Sequence, residues 1–468
     1  MNPMQISVAL RARAKLAVLL HYLLQTACQK ENASKLDPRN LRTLRQVVLA
    51  VLATRSTRLA TMAQAIAPQR RVRSVKAAAM AVGYFLEDAH VPLRPLATRM
   101  LEAALHEVDR EEVATYRGKA LVVLDPTEYA KRSRGRGKRG RQMQHIGRVR
   151  AVKAAPKRKN KKKKAAQKGT RTATAGQVVT TWGYVDIWAG LVLKGKRFWP
   201  LARQLYSNNH PQIKSQNRVE EAVLWQALAL LQRVGLSAIA VADRGLGRKE
   251  LLIRLAKKGQ DLVIRIDADI TVRPEGSEED GLLDAVLARQ PWLGDVVWER
   301  GQEGPLRCQA RAVRATIRFS RSGRVADYQE ATLTFLELVP YEEEKEFLVV
   351  ATTLPVETLS DAKGVAWVYA QRWAIETGFE TMHAWGQDRF MVRGWQAIDR
   401  LLWIVALAYA LLVLALLDRR LVSFRRQAVA VLKRLSVLGR RLTVGKLAEA
   451  ISLDFRRHHK AWAAAWFG

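Results

Sequence analysis

Residues 119–130 read KALVVLDPTEYA. The apolar, β-branched run Leu121 to Leu124 is followed at once by Asp125 and Pro126. So short and uniformly apolar a run predicts a strand buried on both faces, ended by the proline, with a carboxylate delivered at its C-terminal end. The pattern recurs in SAIAVADRGLG (237–247), where the run stops at Asp243 and a glycine turn. TTWGYVDIWAGLVL (180–193) and KRFWPLARQLYS (196–207) predict paired strands. RVEEAVLWQALALLQRVG (218–235) predicts an amphipathic helix closed by Gly235. A further helix, RKELLIRLAKKG (248–259), and a strand, DLVIRIDAD (261–269), follow. Strands alternating with helices imply an α/β domain.

Outward from this core the pattern changes. Residues 1–117 carry apolar positions at three- and four-residue spacing with arginines between them, as in LRTLRQVVLAVLATRS and VRSVKAAAMAVGYFLED, and predict a helical DNA-binding domain. STRLATMAQAIA (56–67) opens with a Ser/Thr cap signal and suits an ordinary helical bundle, with a helix-turn-helix-like unit as the alternative. The core's first part spans 118–270. Residues 271–345 alternate like antiparallel strands, with acidic stretches EGSEED and YEEEKE, and predict a β-rich insertion. The α/β core resumes over 346–418, where SDAKGVAWVYAQRWAIETGFETMHAW predicts one helix capped by Ser360 or Asp361. Residues 419–468 predict a basic helical C-terminal region.

The charge is lopsided: 79 Lys and Arg against 43 Asp and Glu, a formal +36. Such an excess repels itself unless a polyanion neutralises it, which makes nucleic acid the expected partner and an anionic membrane surface the competitor. From Lys131 to Arg171 there are 19 Lys or Arg and no acid. Lys157, Arg158, Lys159, Lys161, Lys162, Lys163 and Lys164 form its densest part, predicted as a solvated loop that grips DNA phosphates. Two cysteines far apart, Cys28 and Cys308, make a structural zinc site unexpected and suit a reducing compartment. The arginine-rich N-terminus does not read as a signal peptide. LLWIVALAYALLVLALL (401–417) is at the short edge of a membrane span, and is expected instead to be the buried centre of a large domain.

Two strand-end aspartates can lie side by side at a sheet edge if their strands are neighbours, and a helix across that edge can add Glu376. Such a cluster needs cations, and hard divalent ions suit all-oxygen ligands. Two ions about 3.5–4 Å apart can activate a nucleophile and stabilise the leaving oxygen in phosphodiester chemistry. Glu128, Asp186, Asp267, Asp269 and Glu380 compete, because a lone strand-end acid is commonly a turn cap. Glu376, between a tryptophan and a phenylalanine, is either a structural acid paired to Arg372 or a metal ligand.

LVVLDPTEY, AVADRGLGRKELL and YAQRWAIETGFETMHAWG, in that order, resemble the three catalytic segments of bacterial insertion-sequence DDE transposases. The resemblance is to the branch with a β-rich insertion before the glutamate and a Y-x2-R-x3-E-x6-K signature. Tyr369, Arg372 and Glu376 match it, and His383 stands at the lysine position. It covers roughly residues 118 to 418. It implies an α/β, RNase H-like catalytic core with Asp125, Asp243 and Glu376 holding two Mg²⁺ ions, for which Mn²⁺ can substitute. It further implies cut-and-paste transposition. Water attacks at the element's end, then the freed 3′-hydroxyl attacks the opposite strand, in this branch often forming a hairpin, and finally target DNA. Double-stranded DNA and a homodimeric synaptic complex are the implied partners, with no membrane, in the bacterial cytoplasm and on the nucleoid when bound. Tyr369, Arg372, His383 and Arg244 are expected at DNA; Trp292, Trp298 and Trp385 are candidates for stacking on an unpaired base or for the core. A catalytically silent DNA-binding regulator, an RNase H-like nuclease and a membrane-surface protein are the rival readings.

Overall fold

A computed structural model describes residues 3–29, 37–67, 74–87, 92–131, 143–152, 178–320, 322, 324, 327–342, 344–434 and 442–467. Most of the lysine-rich stretch, including every cation from Lys157 to Lys164, lies outside the described residues. Five helices come first: α1 (Pro3–Gln29), α2 (Pro38–Thr54), α3 (Leu59–Ile66), α4 (Val75–Glu87) and α5 (Leu93–His106). Strands β1 (Thr115–Tyr116), β2 (Lys119–Lys131), β3 (Gly147–Val152), β4 (Val178–Leu193) and β5 (Arg197–Tyr206) follow. Next come α6 (Gln216–Arg233), β6 (Ala238–Ala242), α7 (Lys249–Lys257) and β7 (Asp261–Arg265). The acidic region contributes β8 (Thr271–Pro274), β9 (Gly281–Leu282), α8 (Leu283–Ala288), β10 (Gly294–Glu299), β11 (Pro305–Phe319) and β12 (Gln329–Pro340). The chain closes with β13 (Leu348–Thr352), α9 (Leu359–Ala370), α10 (Trp373–Ala384), α11 (Trp395–Leu417), α12 (Val422–Arg434), α13 (Val444–Arg457) and α14 (His459–Phe467).

The strands join one mixed sheet in the order β3-β4-β2-β6-β7-β13-β12-β11-β8-β9, with β5 on β4, β1 on β2 and β10 on β11. β2/β6 and β6/β7 are parallel; the other pairs are antiparallel. The β-rich region does not stand apart from this sheet. β13 pairs with β7 on one side and β12 on the other. All five residues of β13, LVVAT, are buried, so it needs a neighbour along both edges, and β12 and β11 supply the second.

Two further elements differ from the sequence expectation. β2 does not end at Asp125–Pro126: it runs on to Lys131, paired to β4 alone. Its parallel partner β6 stops at Ala242, level with Leu124, so Pro126 falls where one edge of β2 no longer feeds a ladder. The long helix over 360–385 is two. Thr358 caps α9 in a capping box with Asp361, and the helix tightens at Gln371–Arg372 before α10 begins. There the amides of Arg372, Ala374 and Ile375 reach back three residues rather than four, to Tyr369, Gln371 and Arg372.

α11 is, among the described residues, the one helix long and apolar enough to cross a membrane, and 89% of its apolar window is buried. It runs through the middle of the helical layer against α2, α4, α5 and α13, with β5 on its other side. An all-round apolar helix is satisfied by such surroundings. The N-terminal and C-terminal helices thus share one apolar core with the sheet.

Candidate active site

Parallel register places the two aspartates. Leu124 is level with Ala242, so the next residues, Asp125 and Asp243, emerge together from adjacent strands, which lie about 4.8 Å apart. Asp243 opens a tight turn: its carboxylate accepts from the Arg244 amide (2.8 Å) and from the Tyr369 hydroxyl (3.1 Å). Glu376 arrives on the first turn of α10. That helix can lie close over β5 because Gly378 faces Phe198, where a Cβ would come within 2.9 Å of the ring.

Arg372 is the hub. Its guanidinium, 9% exposed, donates from Nη1 to Asp125 Oδ2 (3.2 Å) and pairs with Glu376 Oε1 (2.7 Å). The tightened turn sets it four residues before Glu376, on the same helical face. Its Nε is buried without a hydrogen-bond partner.

The electrostatics follow from crowding. Burial pushes the Asp125 carboxyl up to about 7; Arg372 opposes this, while Glu376 and Asp243 add to it. Burial likewise raises Glu376, against Arg372 and with help from Asp243 and Glu380. Asp243 feels burial too. Arg372, the Arg244 amide, Arg265 and Tyr369 outweigh it and hold the carboxyl below its ordinary value. Arg265 helps to keep Asp243 charged, whereas Asp125, the most deeply buried of the three, has Arg372 alone against its burial and becomes easy to protonate.

Among the described residues, no group of three or more His, Cys, Asp or Glu side chains stands close enough to hold a metal ion. The donor chemistry nevertheless fits a hard cation. The donors are all oxygen, two come from register-matched strand ends, and Arg372, with an unpartnered buried Nε, occupies the cationic position between Asp125 and Glu376.

Other residues fall nearby or apart. His383 is half-buried against the far stretch of β2, Nε2 3.3 Å from Thr127 Oγ1, its ring flanked by Tyr129 and Phe379. Burial holds its pKa below the ordinary value, against Asp388, so the ring is neutral rather than cationic at pH 7. Arg244 is exposed and pairs with Asp267 and Glu346. Trp385 is 1% exposed, packed on Tyr409, and Trp298 is 7% exposed, lying behind Tyr369. Neither indole presents a face to a base. Trp292 is 45% exposed, with the Arg311 guanidinium lying over its ring. Of the competing acids, Asp186 is fully buried and neutralised by Arg203 (2.7 Å), Tyr129 and Trp188, a structural ion pair. Glu128, Asp267, Asp269 and Glu380 are exposed.

Sequence reasoning missed Arg265, whose Nη1 lies 3.9 Å from Asp243. The signal was available: Arg265 follows a three-residue apolar run in β7, and Ile264 is level with Ala242, so Arg265 is level with Asp243.

Residues 211–411 match the model of a family described as Transposase DDE domain. The match includes Asp243, Arg372 and Glu376 and begins after Asp125. It supports a DDE transposase. No curated protein matches the chain.

Proposed function

We propose that this protein is a DNA transposase of the cut-and-paste kind, binding the ends of its insertion sequence and carrying out metal-dependent cleavage and strand transfer on an RNase H-like core. The observation that carries the reading is the register of β2 and β6, which delivers Asp125 and Asp243 side by side, with Glu376 joined to Asp125 through Arg372. The likeness of residues 211–411 to transposase DDE domains, which act on DNA and use divalent metal ions, agrees with it.

Asp125, Asp243 and Glu376 would hold two Mg²⁺ ions, or Mn²⁺ in their place, which supply Lewis-acid activation of water and of the 3′-hydroxyl and stabilise the departing oxygen. Tyr369 keeps the Asp243 carboxylate oriented through its hydroxyl. Arg372 neutralises Asp125 and Glu376 in the free protein and grips the substrate phosphate when ions take over that task. His383, neutral in its pocket, is a hydrogen-bonding group rather than a phosphate-binding cation, and a hairpin step here proceeds without the charge a lysine would bring. The lysine array from Lys157 to Lys164 holds DNA phosphates of any sequence. A homodimer assembles two ends in one synaptic complex.

The test is cleavage of DNA carrying the ends that flank the gene, with Mg²⁺ or EDTA, by wild type and Glu376→Gln. Nicking at the ends that needs metal and vanishes in the variant, with binding nearly unchanged, is expected. The occupation of the acidic site by Arg372 is the observation that favours a silent DNA-binding regulator, and tight binding without cleavage by wild type would establish that reading.

A further inference from the structure

A cavity of about 700 Å³ opens beyond the far end of β2 and β4, away from the carboxylates. Its wall is three aromatic rings in contact. The centroids of His145 and His210 are 4.6 Å apart, those of His210 and Trp395 4.5 Å, and those of His145 and Trp395 5.9 Å. Three loops are tied together to hold them. The Ser207 hydroxyl donates to the His145 carbonyl (2.5 Å), and the Gln144 amide donates to the Arg393 carbonyl (2.9 Å). The Trp395 amide donates to Gln144 Oε1 (2.8 Å), and the Tyr184 hydroxyl to the Gln144 carbonyl (2.6 Å). The rim carries the exposed side chains of Gln144, Gln212 and Arg393.

The chemistry is that of a nucleotide site. Flat rings offer a stacking surface, and burial, with the presence of His145, keeps His210 below its ordinary pKa. Carboxamides donate and accept at a base edge, while Arg393 and the positive end of the 23-residue α11 favour an anion. Glu87, the one acid among the described lining residues, disfavours a multiply charged phosphate relative to a singly charged phosphodiester. The place is suitable as well. Tyr129 on β2 is level with Tyr184 on β4, whose ring lies 5.9 Å from Trp395. Tyr129 lies four positions along β2 from Asp125, about 13 Å, roughly four base steps of DNA.

We propose that this cavity receives one unpaired nucleotide of the DNA strand bound across the carboxylate site, its base against Trp395 and the histidine pair and its phosphate at Arg393. The inference rests on the DNA-processing reading and adds to it a subsite outside the carboxylate cluster and its signature helix.

The test uses the full chain with a single-stranded oligonucleotide carrying one 5-iododeoxyuridine, and a fully paired duplex of the same sequence, irradiated and mapped by peptide mass spectrometry. Adducts on His145, His210 or Trp395 are expected from the single strand, with far fewer from the duplex. They should fall about tenfold in Arg393→Gln, the scale of losing one hydrogen bond between a guanidinium and a phosphate, while its melting temperature stays at the wild-type value. A dithymidine dinucleotide joined by one singly charged phosphodiester should suppress the adducts and inorganic phosphate should not. Adducts mapping elsewhere, indifference to Arg393→Gln, or equal suppression by phosphate would overturn the proposal. Normal end cleavage without cavity adducts sinks this inference alone. Cavity adducts in a wild-type protein that never cleaves sink the transposase reading and leave the nucleotide site standing.

Discussion

Replacing Arg372 by methionine removes the one cation that touches both Asp125 and Glu376 while keeping much of the length of the side chain. A unit-charge pair near 3–4 Å is worth about 4–5 kcal/mol at an effective dielectric of 20, and there are two such pairs. Much of that is offset, because the buried guanidinium no longer has to be desolvated. Breaking a buried pair by deleting one partner costs roughly 3–5 kcal/mol. Protonation limits the loss further. Asp125 already titrates at about 7 with the arginine present, and higher without it, so near pH 7 the variant carries a proton there in place of an unpaired charge. Each pH unit by which the carboxyl is raised corresponds to about 1.4 kcal/mol. The net expectation is about 2–3 kcal/mol of destabilisation at pH 7 by urea unfolding. The sign of the pH dependence follows. A carboxyl whose folded pKa is raised binds more protons folded than unfolded, so stability falls as pH rises toward that pKa, and the deficit should widen from pH 6 to pH 8. Mg²⁺ at a hundredfold excess over its dissociation constant for the variant should then stabilise the variant by about 2.7 kcal/mol and wild type by less, since in the variant it no longer competes with a guanidinium. If Arg372→Met is as stable as wild type at pH 8, or Mg²⁺ stabilises both equally, Arg372 and the carboxylates do not act as one electrostatic unit.

Three other outcomes are expected. Arg203→Met leaves Asp186 buried with only Tyr129 and Trp188 as donors, and should cost about 3–5 kcal/mol in urea unfolding; a loss below about 1 kcal/mol would contradict a structural ion pair. Replacing Lys161 to Lys164 by glutamine should weaken DNA binding alike for all sequences and reduce the slope of log affinity against log salt by up to about 0.9 for each phosphate no longer neutralised; a sequence-selective effect would rule out a phosphate-gripping role. His383 has a folded pKa below its unfolded value near 6.5, so the unfolded chain binds the extra proton and stability falls as pH drops below about 6.5. His383→Asn should lose less stability than wild type between pH 7 and pH 5, and equal losses would show that the ring is not held neutral.

The short runs ending in Asp125 and Asp243 were legible because a strand buried on both faces must be apolar throughout, which makes the first carboxylate conspicuous. Trp298 and Trp385 were not separable from Trp292 by sequence, since an indole suits a core and a stacking surface equally well. The tightened turn at Gln371–Arg372 left no mark in a helical pattern whose residues propagate a helix well on either side.

Composition and local pattern determine, on their own, the basic surplus, the alternation of buried strands with helices, and the order in which two aspartates and a glutamate occur. These depend on charge and on periodicities of two and 3.6 residues, which neighbouring residues suffice to express. Tertiary structure alone decided that β6 aligns parallel with β2 so that Asp125 and Asp243 come level, and that β12 and β11 extend the same sheet past β13. It also decided that one arginine from a later helix serves Asp125 and Glu376, and that His145, His210 and Trp395 meet around one cavity. Strand register and the meeting of distant loops are set by long-range pairing and packing, and no short window of sequence contains both partners.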